Sequence, residues 1–161
     1  MSLVIKPVID ELDKWAELLR DAFITVADDF GITRENAPKN PAFTDADSLP
    51  RMLDKGVSLF GAYYGSQRAG FVALEDADNG CWYMERLAVL PEYRHKGIGR
   101  KLMDFAFATV KERGGVKISI DIINENKVLK NWYTEYGFIE TGIRTFKHLP
   151  FEVCFMEKSV N

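Results

Sequence analysis

The stretch of this chain richest in chemistry runs Leu87-Ala88-Val89-Leu90-Pro91-Glu92-Tyr93-Arg94-His95-Lys96-Gly97-Ile98-Gly99-Arg100. An apolar run ends at Pro91, a loop carries R-x-x-G-x-G in Arg94, Gly97 and Gly99, and a helical pattern follows. In such a loop the backbone N–H groups converge, and the helix behind it adds unpaired N–H donors and the positive end of its dipole. The combination predicts a cradle for an anion of pyrophosphate size, with glycine present because a Cβ would hold a phosphate off the backbone. Local charge agrees: Arg94, His95, Lys96, Arg100 and Lys101 fall between Tyr93 and Met103 with no acid among them. Two other phosphate loops do not fit. A P-loop needs Gly-Lys followed by Ser or Thr, and a dinucleotide fingerprint needs a third small residue where Leu102 stands. A plain glycine cap with incidental lysines is the alternative that the spacing leaves open.

A second segment follows further along: Asn126-Lys127-Val128-Leu129-Lys130-Asn131-Trp132-Tyr133, then Tyr136-Gly137-Phe138. Together the two segments resemble the GNAT superfamily, N-acetyltransferases that use acetyl-coenzyme A. That family's cofactor motif is (Arg/Gln)-x-x-Gly-x-(Gly/Ala) after a strand often ending Leu-Ala-Val, here Leu87-Ala88-Val89. Its later motif is Asn, then Tyr seven residues on, then Gly-Phe. The resemblance covers about residues 57–158, and the first strand and helices fit the family's order. It implies that the main chain of Leu87, Ala88 and Val89 pairs with the pantetheine arm like an added strand. It further implies that Arg94 opens a loop in which the amides of His95, Lys96, Gly97, Ile98, Gly99 and Arg100 hold the pyrophosphate. Asn126 would contact the pantetheine and Tyr133 would point at the sulfur.

Acyl transfer from a thioester to an amine asks four things of such a site. Holding both reactants together supplies part of the rate. The amine must be neutral, although an alkylammonium has a pKa of about 10.4 and a free Glu one of about 4.3. A carboxylate raised by burial, or working through water, meets that need. Glu85 is the candidate base: residues 83, 85 and 87 share a strand face by the two-residue period, and the family places its base two or four positions before Leu87. An ion pair with a neighbouring strand is the alternative for Glu85. The developing oxyanion needs a donor, for which the resemblance implies the Leu87 N–H. The departing thiolate needs a proton, which the phenol of Tyr133 could give; a half-buried packing aromatic beside Trp132 and Tyr136 is the plainer reading. On the acceptor side stand Tyr83, Glu85 and Phe30, with Phe23, Phe43, Asp28, Asp29, Asp45 and Asp47 nearby in sequence. Acids and aromatics would suit a cationic amine.

The elements that must position these groups follow from hydrophobic period and turn residues. Strands are expected at Val4 to Val8, Val57 to Tyr64, Arg68 to Glu75, Cys81 to Leu90, Lys117 to Ile122, Phe138 to Arg144 and Val153 to Lys158. Helices are expected from an Asp10 cap to Gly31, over Ser48 to Asp54 before Gly56, from about Gly97 to Arg113, and from an Asn126 cap to Tyr136. A polar, Pro-broken loop fills Ile32 to Pro41. The order β-α-α-β-β-β-α-β-α-β-β predicts an α/β fold: a mixed sheet with helices on both faces, in one domain over residues 1–161.

Composition narrows the partners. The chain has 161 residues, a net charge of −3 and 47% hydrophobic residues, as expected of an ordinary globular protein. Net acidity and the lack of aromatics among the loop cations argue against nucleic acid as partner. Cys81 and Cys154 read as buried free thiols in a reducing, cytoplasmic setting, and neither has a His placed for covalent catalysis. His95 and His148 lack ligand-spaced partners, so no metal is expected. No apolar run is long enough to span a membrane and no signal peptide stands out. The partners expected are acetyl-coenzyme A and a small-molecule or peptide amine, and a homodimer is compatible with the sequence. A non-catalytic acyl-coenzyme A sensor on the same fold is the rival reading.

Overall fold

A computed structural model describes residues 2–161. Its elements are β1 (Leu3–Pro7), α1 (Leu12–Asp29), a 3-10 turn (Pro41–Phe43), α2 (Ser48–Asp54), β2 (Ser58–Tyr64), β3 (Gln67–Asp76) and β4 (Cys81–Val89). A second 3-10 turn (Pro91–Tyr93) leads into α3 (Ile98–Glu112), β5 (Lys117–Ile123), α4 (Lys127–Tyr136), β6 (Ile139–Thr145) and β7 (Glu152–Ser159). The strands hydrogen-bond in the order β1-β2-β3-β4-β5-β7-β6. The sheet is mixed: β4 and β5 run parallel, while β1–β2, β2–β3, β5–β7 and β6–β7 are antiparallel. This is the α/β class and the element order expected from the sequence. No helix among the described residues is long and apolar enough to cross a membrane.

The chain packs as two compact units, one of residues up to Glu75 with Met84–Ala106, the other of Asp76–Tyr83 with Phe107–Asn161. In the first, the apolar stripe of α1 (Trp15, Ala16, Leu19, Ala22) and Leu49 and Met52 of α2 pack on Leu59, Phe71, Ala73 and Ala88 of the strands. Trp15 organises this core. Its ring stands between Tyr63 and Phe71, at centroid distances of 5.6 and 6.3 Å. It lies flat against Gly61, where an added Cβ would sit 2.2 Å from Cη2. β3 is buried from Ala69 to Leu74, which explains its unbroken apolar run.

The start of α1 departs from expectation. Asp10 does not cap it; Glu11 occupies the cap position at φ 50° and makes no side-chain cap bond. The Glu11 carboxylate turns instead to Arg68 of β3, whose guanidinium lies over the Trp15 ring at 5.4 Å. A tertiary ion pair has displaced the local cap. The helix stops fall where glycine predicted them, each closed by an N–H folded back onto the last turn. Ile32 donates to the Ala27 carbonyl at 2.8 Å, Val57 to Met52 at 3.0 Å, Gly115 to Val110 at 2.8 Å and Phe138 to Tyr133 at 3.1 Å. The loop after α1 is more ordered than its composition suggested. Thr33 and Asn36 exchange side-chain bonds of 2.8 and 3.2 Å, and Asn40 caps the first 3-10 turn through the Ala42 N–H.

In the second unit the alternation along β5 is clean: Ile118, Ile120 and Ile122 are buried, with Lys117, Ser119 and Asp121 between them. The parallel ladder joins Cys81, Trp82 and Tyr83 to Lys117, Ile118 and Ser119. Phe107, Tyr133, Tyr136 and Phe138 form an aromatic cluster with centroid separations of 5.3–5.7 Å for Phe107–Tyr136, Phe107–Phe138 and Tyr133–Phe138. Phe138, expected as the first residue of β6, belongs to this core, and the strand begins at Ile139.

The Trp15–Gly61 contact makes a sharp prediction. Gly61→Ala forces the indole out of its slot and should destabilise the fold by about 1–3 kcal/mol, as overpacked cores do. Thermal unfolding of the variant measures it; an unchanged midpoint would show that the indole has room to move.

Candidate active site

At the end of β4 the Leu90 N–H still pairs with the Ala69 carbonyl at 2.9 Å, and then the chain leaves the sheet. After the 3-10 turn Arg94 is extended, His95 adopts φ 64° and Gly97 φ 79°, and α3 begins at Ile98. Two left-handed residues spaced by one are the kind of geometry that turns successive amides to one side. His is among the few non-glycine residues that tolerate this region. At Gly97 nothing lies within 4 Å of an added Cβ, so the requirement for glycine here is its backbone angle rather than crowding within the protein.

The loop is held by side chains. Arg94 donates from Nε to the Val89 carbonyl at 3.1 Å and from Nη2 to the Ala22 carbonyl of α1 at 2.9 Å. Ile98 is buried, whereas His95, Lys96, Gly97 and Arg100 are exposed and Gly99 is half-buried. The Lys96 ammonium lies 5.7 Å above the Tyr64 ring, which is 5.8 Å from Tyr93. Arg94 therefore serves the loop's shape, and its guanidinium is committed to two carbonyls.

On β4, Ala88 is buried and Glu85, Arg86, Leu87 and Val89 are half-buried. Burial along β4 keeps the two-residue period, with Trp82, Met84 and Ala88 buried and Tyr83, Glu85, Leu87 and Val89 more open, although Arg86, between Glu85 and Leu87, takes φ 54°. The Glu85 carboxylate lies 3.6 Å from Arg86 Nη1, a loose pair beyond hydrogen-bond length. The Nε of Arg86 is buried and has no hydrogen-bond partner among the described residues.

The second unit carries the other motif. Asn126 caps α4 as expected, its Oδ1 accepting from the Leu129 N–H at 3.2 Å. Two turns on, Tyr133 is 6% exposed, with Trp132 and Phe138 edge-on to its ring at 5.1 and 5.3 Å. Burial pushes its phenol well above the ordinary range, and the negative charge of Asp121 on β5 pushes it further. The phenol is thus a weaker acid than the free group. Asp121 is the acidic neighbour that the sequence did not single out; its only signal there was an acid amid the isoleucines of β5.

Among the expected acceptor groups, Tyr83 is 46% exposed on β4 and Phe30 is a half-buried residue closing α1. Asp45 is drawn into the start of α2, accepting from Ser48 Oγ at 2.9 Å and the Asp47 N–H at 3.0 Å. Those bonds hold its carboxyl below the usual range. Phe43 packs under Arg34 at 5.0 Å. Both cysteines are free; Cys154 is buried as expected, but Cys81 is half-buried, its Sγ 3.4 Å from Ser119 Oγ.

Residues 12–138 match the acetyltransferase (GNAT) family, and the chain belongs to that family. An uncharacterised N-acetyltransferase of Mycobacterium tuberculosis is 24% identical over 96 residues, 60% of this chain and 62% of the relative. The match thus spans under two thirds of that relative's length. Among solved structures, the PaiA N-acetyltransferase of Thermoplasma acidophilum in complex with coenzyme A superposes with a TM-score of 0.80 at 23% identity, over 99% of both chains. A GNAT acetyltransferase of Elizabethkingia anophelis with acetyl-coenzyme A bound gives 0.73 at 17% identity, over 98% of this chain and 97% of that one. Likenesses at these identities establish a shared fold.

The environment of Tyr133 can be read by absorbance. Tyr133 should give an ionisation step above the ordinary phenol range, and Tyr133→Phe should remove that late step. Asp121→Asn should move it back toward the ordinary range. A buried phenol that resists ionisation contributes stability that is full below the unfolded pKa of about 10 and is lost as pH rises beyond it. The loss of stability above that pH should therefore be shallower in Tyr133→Phe. If Tyr133→Phe instead took its missing absorbance from the ordinary tyrosine transition, the phenol would be open to water.

Proposed function

We propose that this protein is an N-acetyltransferase that moves an acetyl group from acetyl-coenzyme A to a primary amine by direct attack in a ternary complex. The observation that carries the reading is the loop from Arg94 to Gly97. Its left-handed residues stand at the start of a helix, with side chains rather than its exposed tip holding its shape. That arrangement fits a pyrophosphate, which needs amides directed outward and a positive helix end.

In this reading the amides from His95 to Arg100 hold the pyrophosphate, and the main chain of Leu87, Ala88 and Val89 takes the pantetheine as a strand takes a neighbour. The Oδ1 of Asn126 is engaged in capping, which leaves the NH2 half of its amide for the pantetheine. When bound, acetyl-coenzyme A supplies the activated acetyl group as a thioester. The Leu87 N–H donates to the carbonyl oxygen as negative charge grows on it. Glu85 accepts the ammonium proton, directly or through a water, and Tyr83 beside it borders the amine.

Tyr133 acts at the sulfur. A thiol has a pKa of about 8.5, below that of a phenol shifted upward by burial and by Asp121. Full proton transfer from Tyr133 is therefore uphill. Its role is to hold a hydrogen bond on the sulfur as charge develops there, with the proton passing only as solvent returns. Free thiols at Cys81 and Cys154 support a reducing, cytoplasmic setting.

Titration with acetyl-coenzyme A, followed by a screen of amines with detection of released thiol, tests the reading. Binding and turnover are expected. Gly97→Ala, which forces a Cβ into left-handed backbone at about 1–2 kcal/mol, should weaken cofactor binding. Tyr133→Phe should lower kcat on the order of 10²-fold while leaving cofactor affinity nearly unchanged. Binding with no turnover on any amine would favour the sensor reading; no binding at all would end both.

A further inference from the structure

We infer that Lys130, Glu140 and Cys154 clamp α4 in place and that Lys130 is a positioning residue for the reaction, acting through Tyr133. The inference rests on the acetyltransferase reading above. Lys130 sits three residues before Tyr133, on adjoining turns of the same helix. Its side chain is only 18% exposed, low for a residue type that seldom leaves water. Its Nζ donates to Asn124 Oδ1 at 2.5 Å and to Glu140 Oε1 at 3.1 Å. That same Oε1 accepts from the Cys154 thiol, also at 3.1 Å, and Cys154 is fully buried. One carboxylate oxygen thus joins α4 to β6 and β7.

The remaining anchor is rigid as well. The Asn124 N–H is bonded to the Glu152 carbonyl of β7 at 2.9 Å, and Lys127 donates to the Asn124 carbonyl at 3.0 Å. Burial disfavours the Lys130 cation, but the interactions with Glu140 and Cys154 outweigh that and raise its pKa, while the hydrogen bonds that Glu140 accepts from Cys154 and Lys130 lower its own.

Tyr133 needs such a clamp. Its ring packs edge-on against Trp132 and Phe138. Apolar packing is non-directional and lets a helix slide by fractions of an ångström, whereas hydrogen bonds fix distance and angle. A misplacement of about 1 Å in a reacting group can cost on the order of 10²-fold in rate. The polar side of α4 thus sets where its aromatic side puts the phenol.

A double-mutant cycle tests the inference. Acetyl transfer is measured for the wild type, Lys130→Met, Tyr133→Phe and the double variant, alongside coenzyme A affinity and thermal unfolding. Methionine keeps the length of the side chain, and replacing buried ionic groups by apolar ones often preserves stability. Lys130→Met should lower kcat about tenfold with unchanged coenzyme A affinity, Lys130→Arg should restore much of it, and the loss should vanish in the Tyr133→Phe background. Losses that multiply in the double variant would show that Lys130 acts elsewhere, and overturn the inference while leaving the acetyltransferase reading intact. A wild type without turnover overturns both. Should Lys130→Met fail to fold, Glu140→Gln on β6 removes the same ion pair with little change of shape, and the cycle is run with it to the same two ends.

Discussion

A loop that offers its amides to an anion cannot use those amides to hold itself together. In the reading proposed above, this constraint governs the end of β4: the amides from His95 to Gly97 are kept for the anion, so side chains supply the order. Arg94 supplies it by reaching back to the Val89 carbonyl on its own strand and across to the Ala22 carbonyl on α1. Ile98 fixes the other side by being buried, and Tyr93 and Tyr64 brace the middle. The core around Trp15 matters to the site for the same reason, because Ala22 belongs to the helix face that packs there. A guanidinium suits this task better than an ammonium: its donors are fixed in a plane and can serve two carbonyls at once.

Strain is placed on β4 with similar economy. Arg86 is held in left-handed backbone inside a strand, a conformation that costs of order 1–3 kcal/mol for a non-glycine residue. Met84 and Ala88 are both buried on either side of it, so the strand keeps its period and the distortion is absorbed at Arg86 itself. In the proposed reading that residue lies between the carboxylate of Glu85 and the N–H of Leu87.

Most elements could be read from the sequence because their signals are local. Glycine at Gly31, Gly56, Gly114 and Gly137 ends four helices, and Asn126 caps α4 with no help from elsewhere. The glycine turn after β4 was legible for the same reason, since the left-handed angle at Gly97 suits its residue type. What escaped the sequence depends on partners distant along the chain. Asp10 is the better cap by type, yet Glu11 takes the position because Arg68 pulls on it. Phe138 has the pattern of a strand residue but is claimed by Phe107 and Tyr133. Arg94 is legible as the residue that opens the loop, but not the Ala22 carbonyl on α1 that its guanidinium reaches. Arg86 carries no signal at all, because a left-handed arginine inside a strand is a product of its surroundings.

Tyr133 shows how far environment can revise a role assigned by residue type. A free phenol is a fair proton donor to a thiolate, and the motif spacing alone would stop there. Burial between Trp132 and Phe138 and the nearby charge of Asp121 make this phenol hold its proton more firmly. The same features hold the proton in place as pH rises, which in the proposed reading makes it a hydrogen-bond donor to the sulfur. Full acidity and permanent protonation are opposed demands on one group. In a thioester reaction the leaving group is already a modest base, so a donor that never loses its proton stabilises the developing charge without needing to give that proton away. In the proposed reading the buried, acid-flanked tyrosine meets the second demand, and accurate placement then matters more to it than acidity.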